Sequence, residues 1–99
     1  MSHAVDVVCR LTPDGFSCDV VVGADAGATH HAVNVSRGDL ARLAPGHYDP
    51  EALVAASFAF LLEREPRESI LRRFDLPVIE RYFPGYEATI RRQMEAAAG

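Results

Sequence analysis

The 99-residue chain has no lysine; all ten of its basic residues other than histidine are arginines. Together with the abundance of alanine, this reads as the imprint of a GC-rich genome, so a pair of adjacent arginines carries less functional weight here than usual. Cysteine is scarce, with only Cys9 and Cys18. There is no CxxC spacing and no second cysteine pair, which excludes the common structural zinc frameworks. No stretch approaches the ~20 apolar residues that cross a bilayer, and Met1 to Val8 lacks a basic segment leading into an apolar one. The expectation is therefore a cytoplasmic protein with no membrane association and with both cysteines as thiols. Glycine-rich phosphate loops, nucleophile elbows and paired metal-binding histidines on a helix are all missing.

What is present describes one small domain. A hydrophobic fraction of 48% against 24% charged residues suffices for a folded core and excludes global disorder. The net charge is −4, and that imbalance lies in residues 1–61, since residues 62–99 hold equal numbers of acids and arginines. An acidic chain lacks the phosphate attraction that underlies most nucleic-acid binding, so a nucleic-acid partner is not expected.

Residues 4–35 alternate with period two. Val5, Val7, Cys9 and Leu11 share one face; Phe16, Cys18, Val20 and Val22 share the next; Thr29, His31, Val33 and Val35 share a third. Asp14-Gly15 reads as a type I′ hairpin turn, pairing Leu11 with Cys18 and Cys9 with Val20. That register makes the cysteines diagonal neighbours, too far apart for a disulfide, and sets Arg10 opposite Asp19. Pairing Val22 with Thr29 sets Val20 against His31 and Cys18 against Val33. The outer face then shows Val8, Val21, His30 and Ala32, apolar enough to dock a partner.

Residues 36–98 read as helices. Ser36 with Asp39 forms a short capping box, and Asp49-Pro50-Glu51 opens a helix to about Arg64 that is apolar on more than one side. Pro66 opens another helix to Arg73 with Ile70 and Leu71 inward, and Asp75 caps a short one holding Val78, Ile79, Tyr82 and Phe83. The last helix follows Pro84-Gly85 with a Tyr86, Ile90, Met94, Ala97 stripe and a Glu87–Arg91 pair. The expected fold is thus α+β, a single domain over 1–99: a three-stranded antiparallel meander packed against four to five helices.

The run from Phe58 to Tyr86 carries the blocks LLEREP (Leu61 to Pro66), SILRRFDL (Ser69 to Leu76), Ile79, and YFP-x-Y (Tyr82 to Tyr86). In these blocks the chain resembles a family of small uncharacterised prokaryotic proteins. The resemblance covers about a third of the chain and implies no activity. Its pattern has glutamate where Gly85 stands, a departure expected to loosen the start of the last helix. The order of a sheet followed by a helix also resembles HicB-type antitoxins, by element order alone.

Candidate sites are few. His30 and His31 are adjacent on a strand and point to opposite faces, so they cannot share a metal ion. His31 with both thiols is a conceivable metal site, but a core histidine hydrogen-bonded near the sheet edge is the plainer account. His3 and His47 fall in segments expected to be flexible. No metal or cofactor is expected. Cys18 with His31 is the one catalytic pairing to consider, and it sits on a face the helices should cover. Arg37-Gly38-Asp39 is helix-start chemistry, and Arg72-Arg73 and Arg91-Arg92 are expected in a salt-bridged surface. Phe74, Tyr82, Phe83 and Tyr86 lie on short broken segments that either line a groove or close the core. The leading reading is a non-catalytic module that self-associates, as a homodimer for example, or docks a protein partner. The alternatives are a small cysteine/histidine enzyme or enzyme subunit and an antitoxin-like regulator that binds nucleic acid.

Overall fold

The computed structural model describes residues 4–24 and 26–98. His3, Asp25 and the side chain of Ala97 lie outside what is described. Three strands, β1 (Val5–Thr12), β2 (Gly15–Val22) and β3 (Thr29–Ser36), form the antiparallel meander that the alternation predicts. Helices α1 (Arg37–Leu43) and α2 (Pro50–Leu62) follow, then a 3-10 turn at Arg67–Ser69, strand β4 (Arg73–Asp75), α3 (Val78–Tyr82) and α4 (Tyr86–Ala98).

The sheet corrects the expected fold class. It has four strands in the order β1-β2-β3-β4, and β4 lies parallel to β3. The helix expected from Arg67 to Arg73 is a single 3-10 turn, after which Ile70 is extended. The reason lies in the hydrogen bonds β3 still has to offer. Ala32 N–H donates to Arg72 O at 2.8 Å, and Leu76 N–H donates to Asn34 O at 3.0 Å. Asn34 Nδ2 adds a 3.1 Å bond to Asp75 Oδ1, so Asp75 serves the sheet edge and does not cap α3. Phe74 is thereby set beside Val33 and buried, while Leu71, expected inward, is 45% exposed.

The β2–β3 register is as the sequence predicts, with Val20 opposite His31 and Cys18 opposite Val33. The β1–β2 register is not. Pro13 and Asp14 form the turn, Thr12 faces Gly15, and Cys9 faces Cys18 directly. Alternation demands only that inward residues oppose inward residues, and a slip of two positions preserves that. Among the described residues none other than glycine has positive φ, so the turn is not type I′. Gly15 is required for another reason: a Cβ there would lie 2.8 Å from Ser36 Cα and 2.9 Å from Arg37 N. The junction of β3 and α1 packs onto it, and Arg37 N–H donates to Asp14 O.

This register joins the cysteines. Cys9 and Cys18 form a disulfide with Cα atoms 4.0 Å apart, replacing the two thiols expected from the sequence. Arg10 faces Ser17, and its 3.1 Å ion pair with Asp19 is diagonal.

The helices cover one face of the sheet. Cys18, Val20, Val22, Val33 and Val35 are buried against Leu53, Val54 and Phe58 of α2. Both Phe58 and Phe60 are buried, because α2 touches β1 and β2 on one side and α1 and α4 on others. The predicted caps are present: Ser36 and Asp39 form the reciprocal capping box of α1, and Asp49 accepts from Glu51 N–H with Pro50 at the first turn of α2. Tyr86, Ile90 and Met94 are the buried stripe of α4. Among the described residues no helix is long and apolar enough to cross a membrane.

Candidate functional site

The chain from the end of α2 to α3 folds around a concavity. α2 ends at Leu62, the 3-10 turn after Pro66 redirects the chain, and β4 returns it to the sheet, so residues 61–83 curl round a space they do not fill. The pocket has a volume of about 280 Å³. Leu61, Ile70, Phe74, Val78, Tyr82 and Phe83 line it. Ile70 and Phe74 are buried, Phe83 is half-buried, and Tyr82 is 65% exposed at the mouth.

Among the described residues one charged side chain lines it. Glu65 is half-buried, and burial pushes its carboxyl above the usual glutamate value. Its neighbours do not neutralise it. Arg64 stacks over the Phe60 ring with its guanidinium carbon 3.5 Å from the centroid, donates to Phe60 O, and pairs with Glu63. No side-chain hydrogen bond or ion pair forms at the Glu65 carboxylate among the described residues. A partly desolvated, unpaired carboxylate beside aromatic and aliphatic walls favours a cation or hydrogen-bond donor carried on an apolar body.

Of the four aromatics singled out in the sequence, Phe74, Tyr82 and Phe83 line this pocket and Tyr86 does not. Tyr86 is fully buried, with Phe60 against it ring-to-edge at 5.2 Å. Its hydroxyl is 2.7 Å from Ser57 Oγ, and Ser57 donates its own proton to Leu53 O at 2.8 Å, so the tyrosine is the donor of that pair. Burial raises its pKa well above the ordinary tyrosine value, which keeps the phenol neutral. Sequence reasoning missed Glu65, whose only signal was its place in the LLEREP block.

His31 sits in the core near the β3–β4 edge. Leu71 O is 2.8 Å from Nδ1 and can only accept, so Nδ1 carries the proton; Nε2 accepts from Thr29 Oγ1 at 2.9 Å. Phe58 packs against the ring at 5.3 Å. Desolvation lowers its pKa, opposed by the Leu71 carbonyl and assisted by Arg72 and His30. Both nitrogens are thus engaged, and Cys18 is committed to the disulfide. The imidazole and the sulfur share the roofed face but do not form a thiol–base pair. His47, expected in a flexible segment, has its Nε2 2.8 Å from Met94 O.

On the uncovered sheet face Val8 is 67% exposed, His30 is exposed and Val21 is half-buried. The expected Glu87–Arg91 pair is replaced by Glu87 with Arg42 at 3.1 Å. Among the described residues, the side chains of Arg72, Arg73, Arg91 and Arg92 form no ion pair, so the expected salt-bridged surface is absent there. Comparison of the chain with protein-family models, curated proteins and solved structures finds no match.

Proposed function

We propose that the protein is a non-catalytic binding module that docks a protein partner in the pocket between the end of α2, β4 and α3. The partner's contribution is an apolar side chain flanked by a lysine or arginine. The observation that carries this reading is the unpaired carboxylate of Glu65 on the wall of a mainly apolar concavity of about 280 Å³, where Ser69 is the other polar residue. An apolar side chain entering there removes aromatic and aliphatic surface from water, and the neighbouring cation meets Glu65 where solvent screening is weakened. All of the lining residues fall within Phe58 to Tyr86, the stretch whose blocks resemble the uncharacterised prokaryotic family. We read those blocks as the binding surface of that family as well.

The test uses phenethylamine as the minimal mimic of an apolar body bearing a cation. Titrated into the labelled protein, it should shift backbone amide resonances clustered at Ile70, Val78 and Tyr82. Glu65→Gln should weaken binding by roughly tenfold, the scale of one charge-assisted hydrogen bond. Shifts scattered over the surface, or binding indifferent to Glu65→Gln, would remove the reading.

A further inference from the structure

The two edges of the sheet are unlike. β4 is three residues long, whereas β1 has eight residues and no proline. Long unblunted edges are templates for another strand. The direction of the free groups on β1 follows from its ladder. Gly23 N–H donates to Ala4 O, so even-numbered residues of β1 bond to β2 and odd-numbered ones point outward. Consistently, Cys9 N–H leaves the sheet to reach Glu51 Oε2 at 3.2 Å. Two of the most exposed large apolar residues of the molecule also lie on this strand: Val8 at 67% and Leu11 at 73%.

We propose that the protein forms a two-fold homodimer in which β1 pairs antiparallel with β1 of a second copy, with Val8 on the axis. The choice of occupant and register rests on charge complementarity. Outward groups must meet outward groups, so the symmetric registers near the middle of the strand centre on Val7, Val8 or Cys9. Centring on Val8 sets Asp6 opposite Arg10 of the second copy, twice by symmetry, and Val8 against its own counterpart. On the helix-covered side it sets Leu11 against Val5 and Val7 against Cys9. Centring on Val7 sets Asp6 opposite Val8 and Arg10 opposite Ala4. Centring on Cys9 sets Arg10 opposite Val8 and Asp6 opposite Thr12. Only the Val8 register pairs both charges with opposite sign and covers both exposed apolar residues with apolar ones.

Asp6 forms no ion pair within the described chain, and Arg10 has Asp19 on its other side, so the dimer extends a row of alternating charge. Cys9 N–H exchanges Glu51 for the carbonyl of Val7 in the second copy, and the half-buried carboxylate moves into water. The result is a continuous eight-stranded sheet. This dimer uses a surface distant in sequence from the pocket and is independent of the pocket reading.

Charge reversal tests the register. Sedimentation velocity over a concentration series should show a wild-type dimer that dissociates on dilution. Asp6→Arg and Arg10→Asp, with circular dichroism unchanged, should each weaken the dimer by roughly tenfold or more, because like charges then meet twice. Mixed in equal amounts, the two variants should form a heterodimer, since one chain then carries two arginines where the other carries two aspartates. A wild type monomeric throughout, a dimer indifferent to both substitutions, or a mixture no tighter than its components would overturn the proposal.

Discussion

The hydroxyls of Tyr86 and Ser57 are buried where no water competes, and their order of donation makes them unequal. Tyr86→Phe removes a donor while Ser57 keeps its bond to Leu53 O, a loss of about 1 kcal/mol. Ser57→Ala strands the phenol O–H in the core and should cost more, about 1–3 kcal/mol. Urea unfolding of both variants checks this, and a larger loss for Tyr86→Phe would show the donor assignment to be wrong. At this scale the sequence was legible at the first two helix starts, and less so at the Asp14-Gly15 turn or the Glu87–Arg91 pair. Ser36, Asp39, Asp49 and Pro50 cap and open helices as their types and spacing demand. The Ser57–Tyr86 bond joins residues 29 apart, and nothing in either neighbourhood announces the other.

Among the elements, α4 begins in an unusual way. Gly85 has φ +98°, in the left-handed region that glycine enters freely, and this turns the chain from Phe83 into the helix. Glu80 of α3 accepts from both Gly85 N–H and Glu87 N–H at 2.9 Å, which lowers its pKa. Far from loosening the helix start, Gly85 lets its own amide reach that carboxylate. Glu80→Ala should leave the fold intact and speed hydrogen exchange at the Gly85 and Glu87 amides by about tenfold. Unchanged exchange there would mean that the carboxylate does not hold this helix end. The strands of the meander were legible because eight-residue alternation is a strong signal. β4 was not, because three residues carry no period and Ile70-Leu71 reads equally well as one helical turn. Its partner is β3, some forty residues earlier, and that pairing is a property of the tertiary fold. The pocket depends on β4, so three of its aromatic lining residues stood out in the sequence while the space between them was not legible.

For the whole molecule, the β1–β2 register decides the cysteine chemistry. Cys9 and Cys18 are separated by 9 positions, and closing so short a loop stabilises a fold by about 2–3 kcal/mol in the chain-entropy account. Urea unfolding with and without reductant should show a difference of that size, and Cys9→Ala/Cys18→Ala should match the reduced wild type. Equal stability in both conditions would mean that the link is not formed in solution. Disulfides persist in oxidising surroundings and are reduced by cytosolic glutathione, so a cytoplasmic copy would be the less stable form. Parity alone admitted both registers of this hairpin. In the register that forms, Ser36 and Arg37 approach Gly15 closely, a contact between segments more than twenty residues apart that parity does not reveal.

The late arrival of β4 beside β3 has a bearing on synthesis. As the chain leaves the ribosome, residues 5–36 can pair into a ribbon, yet that ribbon has a greasy underside and nothing to set against it. Its cover arrives with α2, and the sheet is finished only when Phe74 emerges and slots alongside Val33. A nascent chain stalled before α2 has emerged would display the very valines that the completed protein hides.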